Sequence, residues 1–213
     1  MADEKIKAEP CEEESSKTHS FSDLSFTHVA TIVYAIMAAA GLLIMIYAHR
    51  NLDAAFHWPS TFDARSTIFF SALLVTGILY IATYLCEAWF NAFHYLKMTV
   101  AMMIGNRSYG VAIYLALISA IGEELLFRGA IQPFTGLFFA SAMFGLAHLG
   151  PEGISLWTIW AFCAGLLLGW TYDATNSLWP PILAHFLLNA ISMLRLQYLV
   201  KRGHIQLPEI PAR

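Results

Sequence analysis

Runs of roughly twenty apolar residues recur along this chain, each the length a helix needs to cross a lipid bilayer. They cover about 27–48, about 67–90, a stretch from Tyr109 to the QPFTG segment, about 134–149, about 154–171 and about 178–199. Hydrophobic residues make up 58% of the 213 and charged residues 13%, where soluble domains carry about 25% charge. The pattern predicts an all-α, polytopic integral-membrane helical bundle with about six transmembrane helices.

The remaining segments fall between and around these runs. Residues 1–22 are polar and acidic and read as a disordered N-terminal tail. No basic n-region precedes the first apolar run, so no cleavable secretory signal is expected. Residues 23–108 hold the first two spans and a segment, NAFHYLKMTVAMMIGNRS, that suits a membrane interface with Lys97 and Arg107 facing water. Residues 109–199 form the polar-bearing membrane core, and 200–213 a C-terminal tail. LGPEG and DATNS are turn segments, and Pro180 and Pro181 sit where a helix tolerates proline, in its first turn. Ala161, Ala164, Gly165 and Gly169 would let the fifth span approach a neighbour closely.

Lys5, Lys7, Lys17, Lys97, Arg107, Lys201, Arg202 and Arg213 fall on one side of the bilayer, and Arg50 and Arg65 on the other. By the positive-inside rule both termini are cytoplasmic. The net charge of -3 resides mainly in the tail and implies no nucleic-acid partner. Cys11, Cys86 and Cys163 lack metal-type spacing and read as reduced thiols packed as small hydrophobes.

Charge in the middle of these runs needs a reason, because an ionisable residue at membrane depth costs about 2.5–3.5 kcal/mol on insertion scales. Glu123, Glu124 and Arg128 all lie within ISAIGEELLFRGA. Glu124 and Arg128 are four apart with the acid first, the favourable order for a helical ion pair. Taken alone, that pair reads as a structural lock. Glu123 points about 100° away around the helix and is the carboxylate left over. His148, His185 and Asn189 lie in other apolar runs, with His185 and Asn189 four apart on one face. Phe144, one turn before His148, reads as core packing.

Carboxylate, two imidazoles and an amide can hold and activate a water. The same groups serve proton relays and ion paths, and Glu123 with two histidines is also a plausible zinc set with an open position. The absence of H-E-x-x-H ranks zinc second, and no cofactor is expected. A non-enzymatic immunity, scaffold or transport protein is the alternative of a different class.

The motifs E-E-x-x-x-R (EELLFR), F-x-x-x-H (FGLAH) and H-x-x-x-N (HFLLN), in that order on successive segments, resemble those of the CPBP family. That family comprises CAAX prenyl proteases of the Ras-converting type and the bacterial Abi and lysostaphin-resistance-protein-A-like proteins. The resemblance covers roughly residues 109–193. It implies an intramembrane endopeptidase of glutamic type acting on a membrane-associated protein or peptide, such as a C-terminal sorting signal or leader peptide. It implies Glu123 as the base that activates water, with His148, His185 and Asn189 as its catalytic partners, Asn189 at the oxyanion. Glu124, Arg128 and Phe144 take supporting positions. The short chain suits a bacterial inner-membrane protein.

One tension follows from straight helices. With the third span ending near QPFTG, Glu123 lies about 12 Å from its end and His148 about 21 Å into the next, at 1.5 Å per residue. The two would then sit at different depths.

Overall fold

The computed structural model describes residues 12–48, 51–150 and 153–207. Among these residues the chain is all helical: α1 (Glu12–Tyr47), α2 (Leu52–Ala55), α3 (Phe62–Trp89), α4 (Asn91–Ile104), α5 (Tyr109–Glu124), a π-helical segment (Leu125–Ile131), α6 (Gln132–Ala147), α7 (Leu156–Thr175) and α8 (Trp179–Lys201). The helices start where the chain offers caps. Thr61, Ser108 and Ser155 each accept a hydrogen bond from a backbone N–H of the first turn of α3, α5 and α7. Pro180 and Pro181 lie in the first turn of α8, where the missing N–H is not needed.

Among the described residues, four stretches are long and apolar enough to cross a membrane: Phe26–Tyr47, Phe62–Trp89, Tyr109–Ala147 and Trp179–Lys201. The expected third and fourth spans are joined in the one stretch Tyr109–Ala147. Its fold point is Gly136, whose φ of 80° and ψ of 166° leave the helical region; glycine takes that conformation without a steric penalty. The expected fifth span is α7, whose tryptophans, threonines and Asp173 dilute its hydropathy. Of the expected N-terminal tail, residues 1–11 lie outside the described residues, and 12–22 form the first turns of α1. Residues 208–213 of the expected C-terminal tail also lie outside them.

Side-chain pairings define the helix directions. α1 runs alongside α5 and the π-helical segment in the same sense: Thr31 meets Tyr114, Tyr34 meets Gly122, Gly41 meets Leu125 and Met45 meets Gly129. α8 runs opposite to α5, with Gln197 donating to the carbonyls of Ile104, Arg107 and Ser108 at one end. α3 follows α8 in parallel, joined by Thr76 to the Ala184 carbonyl and by Arg195 to Glu87 at 3.1 Å. α6 and α7 are antiparallel and close. A methyl on Gly145 would lie 2.9 Å from Phe162, and one on Gly165 would lie 3.3 Å from Ser141. Of the small residues expected to bring α7 near a neighbour, Gly165 and Gly169 face α6, Ala161 packs with Phe127 and Phe144, and Ala164 packs with α3 and α8.

Lys97 and Arg107, expected to face water, both have partners. Lys97 is 3.8 Å from Glu87, and Arg107 lies over the Phe26 ring. Cys86 and Cys163 are free thiols, with Cys163 facing outward rather than into the core; Cys11 lies outside the described residues.

Candidate active site

The two adjacent glutamates end α5, and the helix changes form directly after them. From Leu125 to Ile131 the turns widen to the π form, in which the Gln132 N–H bonds back five residues to the Phe127 carbonyl. Such segments are rare and recur at functional sites. Here the widened turn carries Arg128 into the protein interior, 1% exposed, beside Glu124 at 0%.

Arg128 Nη1 donates to Glu124 Oε1 at 3.0 Å. Its Nη2 donates to the Gly165 carbonyl at 3.0 Å, and its guanidinium lies 4.5 Å from the centre of the Phe144 ring. Carboxylate, carbonyl and aromatic face together compensate a charge that burial alone would make costly. The same Glu124 oxygen contacts His185 Nδ1 at 2.8 Å. Glu124 therefore does more than neutralise Arg128: it also fixes the orientation of an imidazole.

Glu123 faces a different group of side chains. Its Oε2 is 3.9 Å from His148 Nε2 and 3.9 Å from His185 Nε2. Both distances are too long for a direct hydrogen bond, and Oε2 is buried with no hydrogen-bond partner among the described residues. His148 Nδ1 is 2.8 Å from the Phe144 carbonyl, which only accepts. The Nδ1 nitrogens of both histidines thus serve as donors, and in the neutral imidazoles both Nε2 atoms are lone-pair acceptors. With both rings neutral, three acceptors converge, an arrangement that a water, a proton or a cation would satisfy.

The common depth of Glu123 and His148 follows from the fold point. Reversal occurs at Gly136, beyond Pro133, with Glu123 thirteen residues before it and His148 twelve after. At 1.5 Å per residue both lie about 18–20 Å from the bend. Phe127 and Phe144 pack edge to face at 5.2 Å across this hairpin. Phe144 is buried as core packing predicts, and it also touches the site: its ring lies 4.7 Å from that of His148 and 5.9 Å from that of His185.

Asn189 lies one turn after His185 on α8. Its Nδ2 donates to Ser119 Oγ at 3.1 Å, and Ser119 sits one turn before Glu123 on α5. An amide nitrogen carries two hydrogens, so one is used here.

Three contributors escaped the sequence reading. Ser119 orients Asn189. Trp157 packs edge to face on His148 at 5.8 Å and stacks on Trp160 at 4.9 Å, forming an aromatic wall. Tyr34, from α1, packs on Gly122 and interacts with the neighbouring Glu123. Gly122, beside Glu123, was a signal for the last, since small residues mark close helix approach; no comparable signal marks Trp157.

Comparison with known proteins converges on the same region. Residues 105–191 match the model of a family described as Type II CAAX prenyl endopeptidase Rce1-like. A Bacillus subtilis (strain 168) protein named Uncharacterized protein YpbD is 33% identical over 98 residues, 45% of this chain and 51% of that protein. A second protein of the same organism, named Putative membrane peptidase YdiL, is 33% identical over 82 residues, 35% of this chain and 32% of that protein. The chain thus spans about half or less of the length of these relatives. No solved structure gives a significant match.

Proposed function

We propose that this chain, whose residues 105–191 match the Type II CAAX prenyl endopeptidase Rce1-like family model, is an intramembrane endopeptidase whose water is activated by Glu123. The observation that carries the reading is the convergence of Glu123 Oε2 with His148 Nε2 and His185 Nε2, 3.9 Å from each. One water can reach such atoms at about 2.8 Å each, giving a proton to Glu123 and another to a histidine. Its lone pair then faces a peptide carbonyl carbon.

The reaction proceeds in two proton transfers. Glu123 takes a proton as the water oxygen bonds to the carbonyl carbon, and the carbonyl electron pair moves onto oxygen. The second amide N–H of Asn189, or a histidine that has taken up a proton, donates to that oxyanion. When the oxyanion re-forms the carbonyl and the C–N bond breaks, the proton on Glu123 passes to the leaving nitrogen, yielding a carboxylic acid and an amine, which ionise to carboxylate and ammonium. Glu124 and Arg128 hold His185 in the orientation this requires.

A zinc enzyme built on Glu123, His148 and His185 is the second reading, favoured by the Nδ1 anchoring of both histidines, which zinc ligands also use. Tetrahedral zinc with bonds of about 2.05 Å would hold its ligand atoms about 3.3 Å apart, closer than the 3.9 Å observed. The substrate class follows the family: a C-terminal, membrane-associated peptide segment. The location follows the charge pattern and the bacterial relatives: a plasma membrane, with both termini cytoplasmic.

The test uses the purified full chain in lipid nanodiscs with two fluorogenic peptides, one ending in a prenylated CAAX box and one identical but unprenylated. Expected is cleavage that survives chelator and disappears in Glu123→Gln at an unchanged melting temperature. Stoichiometric zinc required for turnover would move the assignment to the second reading. Full activity in Glu123→Gln, or no cleavage of either peptide by folded protein, would overturn the proposal.

A further inference from the structure

Resting on the endopeptidase reading above, we infer that Tyr34 is a positioning residue for Glu123, fixing the carboxylate so that Oε2 faces His148 and His185. The first span carries none of the three motifs, and α1 lies outside the segment that matches the family. Its side chains around Tyr34 are mostly exposed: Ile32, Val33 and Ile36 are large, apolar and on the surface. Tyr34 is on the opposite, partly buried face. A phenol inside an apolar helix interface needs a partner; Tyr34 packs on Gly122, and the neighbouring Glu123 is the polar group that interacts with it.

The geometry makes this bond directional. A carboxylate has two oxygens, and Oε2 has no hydrogen-bond partner among the described residues; on this inference the Tyr34 hydroxyl donates to the other. One oxygen is tethered to α1, and the second is left to the two imidazoles. A free glutamate side chain rotates its carboxylate about a broad terminal torsion. The tether removes that freedom at the group whose direction decides whether a bridging water is held.

The tether is itself built in by the packing. The Tyr34 backbone carbonyl lies where a methyl on Gly122 would come within 2.8 Å. Farther along the same interface, a methyl on Gly41 would come within 2.7 Å of the Leu125 backbone. Glycines thus bring α1 against α5 and the π-helical segment at two levels, on either side of Glu123 in sequence. The first span thereby acts on the site as well as anchoring it.

The experiment compares wild type, Tyr34→Phe, Glu123→Gln and Tyr47→Phe in nanodiscs. Tyr47, on the same helix and 88% exposed, controls for the loss of a hydroxyl. The probe is the prenylated CAAX-box peptide. Tyr34→Phe should lower kcat by roughly 10- to 100-fold, since a misplacement of about 1 Å at a reacting group can cost about 100-fold. KM should stay within about twofold and the melting temperature should not move, because a group lost only from the reacting geometry lowers kcat and kcat/KM together. Tyr47→Phe should match wild type.

A second readout needs no substrate. The infrared carboxylate band missing in Glu123→Gln identifies Glu123, and that band should shift in Tyr34→Phe. Unchanged kcat, a rise in KM in place of a fall in kcat, or a fall in stability that accounts for the lost turnover would overturn the positioning role. If Glu123→Gln is fully active, or neither wild type nor variants cleave the peptide, the endopeptidase reading fails instead. The infrared band then decides Tyr34 on its own: a shift supports the tether and an unmoved band overturns it.

Discussion

α1 and the stretch from α5 through α6 are both apolar enough to cross a membrane, yet they meet opposite demands. Of the most apolar window of α1, 11% of residues are buried in the protein, against 56% for Tyr109–Ala147. α1 turns Val29, Ile36, Leu43 and Ile46 outward, where lipid tails solvate them as well as protein would. The longer stretch encloses Glu123, Glu124, Arg128 and Gln132, all 6% exposed or less. Charge is carried where protein covers both sides of the helix, and the covering includes a narrow stripe of α1 itself. Mean hydropathy alone does not separate the two roles; the partner of each polar atom does.

Four changes would break or sharpen that contrast. The largest effect is expected on the covered side. Arg128→Ala leaves Glu124 buried without its cation, and breaking a buried pair costs about 3–5 kcal/mol. Expression and melting temperature in detergent should fall together; an unchanged melting temperature would mean that Glu124 does not need Arg128.

Gly41→Val tests whether α1 truly docks on the π-helical segment. The added Cβ meets the Leu125 backbone at 2.7 Å, which no side-chain rotation relieves, and overpacking of this kind costs about 1–3 kcal/mol. Ser119→Ala removes one buried hydrogen bond, worth about 0.5–1.5 kcal/mol. It should also lower turnover through a looser Asn189, read as a fall in kcat on the prenylated peptide. The smallest effect belongs to the lipid side: Ile36→Ala, 63% exposed, should stay within about 0.5 kcal/mol in melting and leave cleavage at the wild-type rate. A large loss there would show that α1 has a second buried face.

The residues that meet at the site were legible because each was a polar group where apolar ones belonged. Glu123, Glu124 and Arg128 in a greasy run, and His148 and His185 in two others, stand out by cost alone. The all-α fold was legible from the same runs. What the chain could not reveal was local geometry. Nothing in LLFRGA distinguishes a π-helix from an α-helix, because both use the same residue preferences. The reversal falls within the expected QPFTG segment, on its last residue Gly136 and later than the expected start of the fourth run at about 134, and that shift brings Glu123 and His148 to one depth. Tyr34 was hidden for another reason: a tyrosine in a membrane helix is ordinary until its partner is known.

The central claim is that two neighbouring glutamates have separate tasks, Glu123 in the chemistry and Glu124 in holding His185 and Arg128. The most direct measurement is kcat on the prenylated CAAX-box peptide, with melting temperature alongside, for Glu123→Gln and Glu124→Gln in nanodiscs. The account predicts that Glu123→Gln loses turnover by about 100- to 10,000-fold, the usual contribution of a general base, with its melting temperature intact. Glu124→Gln should lose stability, with turnover falling as His185 loosens. Equal melting losses in the two variants, or turnover retained in Glu123→Gln, would contradict it.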